Sequence, residues 1–426
     1  MRRGVLVGVV AVGLAGTVAA QERDSARIAA LEAQVEAITR ELEELRLGRD
    51  VVVEADTSVL GLGPAASKVY KVRQGVSLGG YGEVLYENFS GSREDDAPSG
   101  RTDRLDALRL IAYLGYKFSD KILFNSEVEF EHGSTSESGS VSVEFAYLDY
   151  RLTPSVGLRG GLLLMPMGFV NELHEPPVFL GARRPETERQ IIPSTWRENG
   201  IGVFGDVGKL AYRAYLVNGF RADGFSAAGL RGGRQSGSEA AAKHFGGVGR
   251  VDFQPALGLT LSASAYLGNS GQGLTLVSDP TREVTARTLI WEAHAEYRAR
   301  GLELRGLFTQ ATIDDAHEVN DALGLTGNAS VGERLTGWYL QAGYDVLRHT
   351  RAGQQLIPFV RYEQLNTQDE VPTGFAANPA NDRRIVTLGA VWKPIANVAV
   401  KADYQINRNE AETGVDQWNV GLGYLF

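Results

Sequence analysis

From about residue 76 to its end the chain is built of short runs in which apolar and polar residues alternate, and in many runs the polar members are charged. Along 121 to 131, Ile122, Phe124, Val128 and Phe130 share one side, and Asn125, Glu127, Glu129 and Glu131 share the other. Successive side chains of a β-strand point to opposite faces, so such a run has one greasy face and one wet face. The same holds for Leu108, Leu110, Leu114 and Tyr116 against Arg109 and Lys117, and for Val398, Val400, Tyr404 and Ile406 against Lys401, Asp403, Gln405 and Asn407. A soluble β-sandwich also alternates, but it buries its apolar face and rarely needs so many evenly punctuated strands in one domain. Where the apolar face meets lipid, a charge on it costs about 2 to 4 kcal/mol at mid-depth, so the charged rows have to face a closed interior.

Sixteen strands can be placed, near 76 to 89, 104 to 118, 121 to 132, 140 to 153, 156 to 165, 200 to 207, 209 to 219, 247 to 254, 258 to 268, 286 to 300, 301 to 313, 332 to 347, 354 to 366, 383 to 393, 397 to 408 and 415 to 426. Connectors after even strands are tight, as at Ser119 and Asp120, Pro154 and Ser155, Gly208, Pro255 to Leu257 and Pro394 to Ala396, whereas those after odd strands are long, polar and Gly-rich. Short turns alternating with long loops around an even strand count is the plan of an outer-membrane barrel. The expected fold class is therefore all-β transmembrane: a roughly 16-stranded antiparallel outer-membrane β-barrel with a short N-terminal coiled-coil helix. Trp291, Trp338, Trp392 and Trp418 fall at apolar parity, where a lipid-facing aromatic girdle needs them.

Both ends of the chain fit that plan. In the last nine residues Trp418, Val420, Leu422, Tyr424 and Phe426 share one face, and Asn419, Gly421 and Gly423 the other. Bacterial outer-membrane barrels commonly end on such a strand, with a terminal Phe read by the barrel-assembly machinery, so Phe426 is the expected assembly signal. Met1, Arg2 and Arg3, an apolar run from Gly4 to Val18 and small residues up to Ala20 read as a signal peptide, residues 1 to 20. After Ala20 no stretch approaches the roughly 18 to 20 apolar residues of a spanning helix. Residues 21 to 50 carry heptads, with Ile28, Val35 and Leu42 at one apolar position and Leu31, Ile38 and Leu45 at the other. In a parallel assembly Arg27 would meet Glu32 of a neighbour and Glu41 would meet Arg46, so self-association is expected; the other reading is a monomeric amphipathic helix. An even strand count puts both barrel ends on the short-turn side, which leaves the coiled coil in the periplasm. Residues 51 to 75, with Gly61, Gly63 and Pro64, read as a linker, and 76 to 426 as the barrel.

Composition closes off several functions. The formal net charge of -9 argues against a polyanion-binding surface, and nucleic acid is not an expected partner. There is no Cys, and the six His include no pair at ligand spacing, so neither metal nor other cofactor is expected. The inward rows carry both signs: Arg109, Lys117, Arg159, Arg213, Arg250, Arg305, Arg361 and Lys401 against Glu83, Glu127, Glu129, Glu144, Asp252, Glu292, Glu296, Glu303, Glu363 and Asp403. The expectation is a solvated lumen whose opposed charges set a transverse field for permeating solutes. The other reading is a plugged lumen whose charges pair with one another.

The connector from Pro166 to Asn199 stands apart from the other loops. Prolines at 166, 176, 177, 185 and 193, with Phe169, Phe179, Leu180, Ile191, Ile192 and Trp196 to bury, describe an ordered loop, and a long ordered loop is usually functional. In sixteen-stranded general porins the loop after the fifth strand folds into the lumen and narrows it. By that resemblance Glu172, His174, Glu175, Arg183, Arg184, Glu186, Glu188, Arg189 and Arg197 are the candidates for a constriction. The alternative is a cap over the mouth or a subunit-contact loop.

The signal, the short coiled coil, the Gly/Pro connector, the run Gly79-Gly80-Tyr81-Gly82-Glu83-Val84-Leu85-Tyr86, the run Arg197-Glu198-Asn199-Gly200 and the terminal Phe together resemble the phosphate-selective porin O/P-like family of trimeric outer-membrane porins. The likeness covers nearly all of the chain after residue 20 and implies a homotrimer. It also implies a basic ladder along the pore, which Arg109, Arg159, Arg213, Arg250 and Arg305 could form, although acidic inward residues are at least as numerous. The expected function is passive diffusion of small polar or anionic solutes, with no enzymatic chemistry, and the expected partners are outer-membrane lipid and lipopolysaccharide. Two other readings are a structural anchor that tethers the envelope through the coiled coil, and an outer-membrane hydrolase suggested by His132 and Ser134. Asp95 with Asp96 and Asp314 with Asp315 read as solvated loop acids, and Gly232 and Gly233 between Arg231 and Arg234 as a loop feature with no following helix to cradle a phosphate.

Overall fold

The computed structural model of the chain describes residues 30–38, 58–134, 139–349 and 353–426. The expected signal peptide, and Ile28, Leu42 and Leu45 of the heptads, lie outside the described residues. Residues 30–38 form a helix, α1, on which Leu31, Val35 and Ile38 are all exposed at the spacing of one helical face. The chain divides into two compact units, Met1–Val53 and Glu54–Phe426.

The second unit is a closed barrel of sixteen strands, each paired antiparallel with its neighbours in sequence. They are β1 (Gly75–Phe89), β2 (Arg104–Lys117), β3 (Ile122–Glu131), β4 (Ser140–Thr153), β5 (Val156–Leu164), β6 (Arg197–Val207), β7 (Leu210–Asn218), β8 (Phe245–Ala256), β9 (Leu259–Asn269), β10 (Arg287–Ala299), β11 (Leu302–Ile313), β12 (Arg334–Tyr344), β13 (Gln355–Glu370), β14 (Asp382–Ile395), β15 (Val398–Asn409) and β16 (Gln417–Leu425). Among the described residues no helix is long and apolar enough to cross a membrane. Two strands outrun their alternation: β6 starts at Arg197 rather than near 200, and β13 runs to Glu370 rather than 366. Beyond an apolar belt the ladder continues through polar residues, where hydrophobic alternation has nothing left to mark. The β12–β13 connection is the long one on the short-turn side, and Asp345 ties its two ends together by accepting from the N–H groups of Leu347 (3.0 Å) and Leu356 (3.1 Å).

Closure falls at β1 and β16. Tyr81 pairs with Leu425 and the ladder runs to Phe89 against Gln417. Phe426 then extends it, donating its N–H to Gly80 O (2.9 Å) and accepting from Gly80 N (3.0 Å). Along β16, Gln417 and Asn419 are buried while Trp418, Val420, Leu422 and Tyr424 are exposed, which is the period-2 division of inside from outside. Aromatic pairs cover the outer face, among them Tyr404 with Trp418 (4.9 Å between ring centroids), Trp291 with Phe308 (5.3 Å) and Trp338 with Tyr362 (5.3 Å). Such cross-strand pairs hold register on a face that gains nothing from leaving water once it sits in lipid.

The hydrophobic core lies inside the barrel, because two stretches of chain enter it. The first is residues 58–72, which the sequence presents as part of a linker. It is instead a packed internal segment at the short-turn end, with a short helix, α2 (Lys68–Lys71), and with Leu62, Ala65, Ala66 and Val69 buried. Arg213 donates to Leu60 O (2.8 Å) and Asn125 to Ala66 O (3.0 Å), while Tyr70 OH meets Tyr147 OH (2.9 Å) and Asp149 (2.8 Å). A Cβ on Gly115 of β2 would stand 2.6 Å from Val69 Cγ2, so the wall is cut back to glycine where the segment leans on it. The correction has a simple origin. Gly/Pro spacing marks a stretch that forms no strand, and nothing in that spacing says whether it crosses solvent or packs.

Candidate functional site

The second stretch is the connector between β5 and β6, whose described course carries a 3-10 turn at Pro176–Val178 and a helix, α3 (Glu186–Gln190), that starts after Pro185. It hydrogen-bonds to inward side chains on many sides of the wall. Glu292 of β10 accepts from Gly168 N (3.3 Å), Arg305 of β11 donates to Val178 O (2.9 Å), and Glu363 of β13 accepts from Thr187 N (3.1 Å). Lys401 of β15 donates to Phe179 O (2.9 Å) and Gly181 O (2.8 Å), and Asp403 accepts from Ala182 N (2.6 Å). The loop therefore spans the lumen. It is also self-supporting: Glu188 accepts from the N–H groups of Phe169 and Val170, each at 2.8 Å, and from Tyr339 OH at 2.7 Å. Trp196 stacks on Phe220 (4.4 Å) and meets Tyr266 edge-on (5.0 Å). Inward glycines again mark the contact, since a Cβ on Gly423 would lie 2.4 Å from Pro176 Cβ and one on Gly337 2.7 Å from Ile191 Cδ1.

The nine constriction candidates separate into two groups. Glu172, His174, Glu175 and Glu188 are at most 4% exposed and are spent on holding the loop. Glu172 pairs with Arg213 (2.8 Å), His174 with Glu127 (3.1 Å), and Glu175 accepts from Ala65 N (3.1 Å) and Ala66 N (2.9 Å), tying the loop to the first internal segment. His174, Glu175 and Glu188 are enclosed by this packing, which corrects the expectation for them, while Glu172 borders a cavity at the short-turn end. Arg183, Arg184, Glu186, Arg189 and Arg197 keep partly exposed surface. Arg183 pairs with Glu87 and with Glu186 (3.5 Å), Arg189 with Glu186 (3.0 Å), and Arg197 with Glu144 (2.9 Å). Burial alone would push the Glu186 carboxyl up, but Arg189, Arg383 and Arg183 surround it and hold it at about 2.

The lumen-lining candidates point inward, and most of them are ion-paired with one another or with neighbouring wall residues. Arg109 holds Glu83 (2.9 Å) and Glu129 (3.1 Å), Arg159 holds Asp149 (2.8 Å), and Arg250 holds Asp252 (2.8 Å). Arg305 pairs with Glu296 (2.7 Å), Arg361 with Glu363 (2.8 Å), and Glu144 with Arg197, while Lys401 is spent on loop carbonyls. The two internal segments bury many of these side chains, and a buried charge without a partner is too costly to keep.

Glu175 gives this packing a pH signature. Burial pushes its carboxyl up to about 7 against an ordinary 4.5, with the N–H groups of Ala66 and Ala65 pulling the other way. Between those values the folded chain holds a proton that the unfolded chain has released, so stability falls as pH rises through that window, by up to about 3 kcal/mol. Urea-unfolding midpoints should therefore drop between pH 4.5 and 7, and Glu175→Gln should flatten that slope. An unchanged slope in the variant would assign the pH dependence elsewhere.

Two basic residues were legible only as loop residues. Arg231 and Arg234, in the connector after β7, reach the lumen loop: Arg231 donates to Ser194 O, and Arg234 to Thr195 O and Pro193 O (3.3 Å). With Arg184, whose contacts are Thr195 Oγ1 and His174 O at 3.5 Å, they form a group in which, among the described residues, none has a carboxylate within salt-bridge range. Burial first, and then crowding by Arg234, Arg189 and Arg184, lowers Arg231 to about 9. The buried Nε atoms of Arg184 and Arg197 and Ser194 Oγ lack hydrogen-bond partners. At the short-turn end a cavity of about 430 Å³ is lined by Arg213, Arg250, Arg298, Glu172, Asp252 and Glu296. His132 and Ser134 lie at the long-loop end of β3, where His132 Nδ1 meets Asp106 (2.6 Å) and Ser134 borders a pocket of about 610 Å³ with Leu110, Phe130 and Tyr424.

A sixteen-stranded antiparallel barrel with an ordered loop across its lumen is the fold of the outer-membrane porins. Solved porins share it: OmpF of Salmonella typhi (14% identity, TM-score 0.53, covering 83% of this chain and 98% of that one) and an anion-selective porin of Comamonas acidovorans (14%, 0.50, 82% and 99%). A trimer form of OmpT, an outer membrane protein of Vibrio cholerae, is similar to the same extent (14%, 0.51, 82% and 99%). A protein of Aquifex aeolicus (strain VF5), described as an uncharacterized protein, is 40% identical over 387 residues, spanning 88% of this chain and 86% of its own, and this chain belongs to its family. No family profile matches the chain.

Proposed function

We propose that the chain is an outer-membrane channel for passive diffusion of small anionic solutes, without enzymatic chemistry. The observation that carries this reading is the arginine group formed by Arg184 of the lumen loop with Arg231 and Arg234 of the connector after β7, among the described residues without a carboxylate in salt-bridge range. In a narrow, partly desolvated passage such a group draws anions far more strongly than the same residues would on an open surface. The Comamonas porin, described as anion-selective, shares the fold and makes this a natural use of it. The paired wall charges contribute little net field, so selectivity rests on the loop and not on a basic ladder along the strands, and phosphate preference in particular has no support beyond the family resemblance. A reversal potential measured across a planar bilayer in a salt gradient tests the reading: anion preference is expected, and cation preference or no conductance rejects it. Absence of esterase activity on lipid substrates in the same preparation sets aside the hydrolase reading of His132 and Ser134, and conductance sets aside a purely structural anchor.

The channel acts as a homotrimer with α1 in the periplasm. The apolar face of Leu31, Val35 and Ile38 supports this, as does the trimer form of the Vibrio protein with the same fold. Fewer than three heptads are marginal alone, so the barrels carry much of the contact. Removing residues 21 to 50 should lower the temperature at which trimers dissociate on unheated gels while leaving channels. If the shortened protein fails to insert, the tether is wrongly assigned.

A further inference from the structure

The contact that fastens the lumen loop to the wall beside Arg184 has the donor set of a metal site. His174 of the loop, Glu127 of β3 and Glu144 of β4 each offer one ligand atom, and these atoms lie within 4.8 Å of one another. All three side chains are at least nine-tenths buried. Glu144 is the extra residue of a β-bulge, since Glu127 pairs with Phe145 and Val128 with Val143, and the bulge is what turns Glu144 toward the lumen beside Phe145.

The hydrogen bonds around the cluster leave one buried carboxylate oxygen without a partner. His174 Nδ1 faces Asn171 O at 3.0 Å, an acceptor, so Nδ1 carries a proton and Nε2 is the atom presented to the carboxylates. Nε2 stands 3.1 Å from Glu127 Oε1 and 3.8 Å from Glu144 Oε2. When both carboxylates are ionised their oxygens only accept, so a proton or a metal cation has to lie between them and the ring. A proton on Nε2 serves Glu127 Oε1 and leaves Glu127 Oε2 buried with no hydrogen-bond partner. One cation between them would take a ligand atom from each of the three side chains. Arg197 holds the other oxygen of Glu144 at 2.9 Å, and the Asn171 carbonyl holds the far ring nitrogen, which is the kind of outer support that orients metal ligands.

We propose that Glu127, Glu144 and His174 bind a divalent transition-metal ion of the zinc type, which pins the lumen loop to β3 and β4. Imidazole with carboxylates is a zinc donor set, and tetrahedral ligands at zinc distances stand about 3.3 Å apart, close to the spacing already present. The ion is loaded as the loop docks, because the closed site has no surface of its own, and a deprotonated ligand set forms only in the folded barrel. Sequence spacing gave no sign of it: the ligands lie 17 and 30 residues apart, on two strands and a loop.

The test uses the full mature chain refolded from urea into detergent with Zn²⁺ alone, dialysed, and analysed for bound metal, with Co²⁺ in parallel for its visible absorption. About one ion per chain, with the intense bands of tetrahedral cobalt, is expected. Glu127→Gln and His174→Gln should each reduce retained metal at least tenfold, while Asp120→Asn, at an exposed turn, should not. Heat-dependent gel mobility shows whether each variant has folded. Should a variant not fold, the unmodified protein decides: intense tetrahedral cobalt bands, which octahedral adventitious cobalt lacks, support the site, and their absence overturns it. No retained metal, or metal unaffected by folded variants, overturns the proposal and leaves an imidazolium bridging one carboxylate. The readout does not depend on conductance, so failure of the channel reading and failure of the metal site are separately visible.

Discussion

Replacing Arg184 and Arg231 together by alanine should move the reversal potential toward cation preference. Each removes a charge that no carboxylate in salt-bridge range offsets, from a lumen in which most other charges are paired. At several ångströms from a permeating ion and an intermediate effective dielectric, each is worth on the order of 1 kcal/mol, so the pair should change the anion-to-cation permeability ratio on the order of tenfold. The change should shrink as salt is raised, because screening weakens the lost field. Arg183 is a poorer choice although it sits beside Arg184. Its removal also uncovers Glu87 and Glu186, so any shift would mix a lost attraction with a gained repulsion. Neutralising the exposed Arg101 of the β1–β2 loop and the exposed Arg300 of the β10–β11 turn removes the same charge and should do little. Equal shifts from both pairs would mean that net charge, and not the loop, sets selectivity.

Phe426→Asp should sharply reduce assembled barrel in the outer membrane while export continues. The backbone of Phe426 makes two hydrogen bonds to Gly80 at the seam, and a Cβ on Gly80 would come within 2.8 Å of its ring, so ring and seam are fitted to each other. The ring itself is 56% exposed on the outer face near the short-turn end. A charge there costs only about 0 to 1 kcal/mol near the interface. Refolding into detergent should therefore be nearly unaffected even as cellular assembly fails. Equal failure in both settings would make Phe426 a structural residue and remove the assembly signal from the argument.

How much of this was legible without coordinates depends on the kind of residue. The strands were, because a period-2 pattern of greasy and charged side chains can satisfy lipid and interior only in a closed sheet, and turn residues mark its corners. The inward direction of Arg109, Glu127 or Lys401 follows from the same parity. What those residues do inward does not follow. Whether Arg213 meets water or Glu172 depends on where the loop lies, and Glu172 is 41 residues away along the chain. The weakest trace of that packing in the sequence was glycine at inward positions, Gly115, Gly337 and Gly423, which alternation counts as neutral and the structure uses as room.

The sequence by itself determined the barrel, its strand number, which face of each strand meets lipid and which connector is ordered, since these rest on local periodicity and turn chemistry. Only the tertiary structure decided that residues 58–72 and the loop after β5 enter the lumen, that most wall charges pair, that Arg231 and Arg234 join Arg184, and that Glu127, Glu144 and His174 converge. The physical reason is that a barrel interior is common ground for residues from every part of the chain. Which charges end up neutralised there, and which remain in excess, is a property of the packing and not of any stretch of sequence.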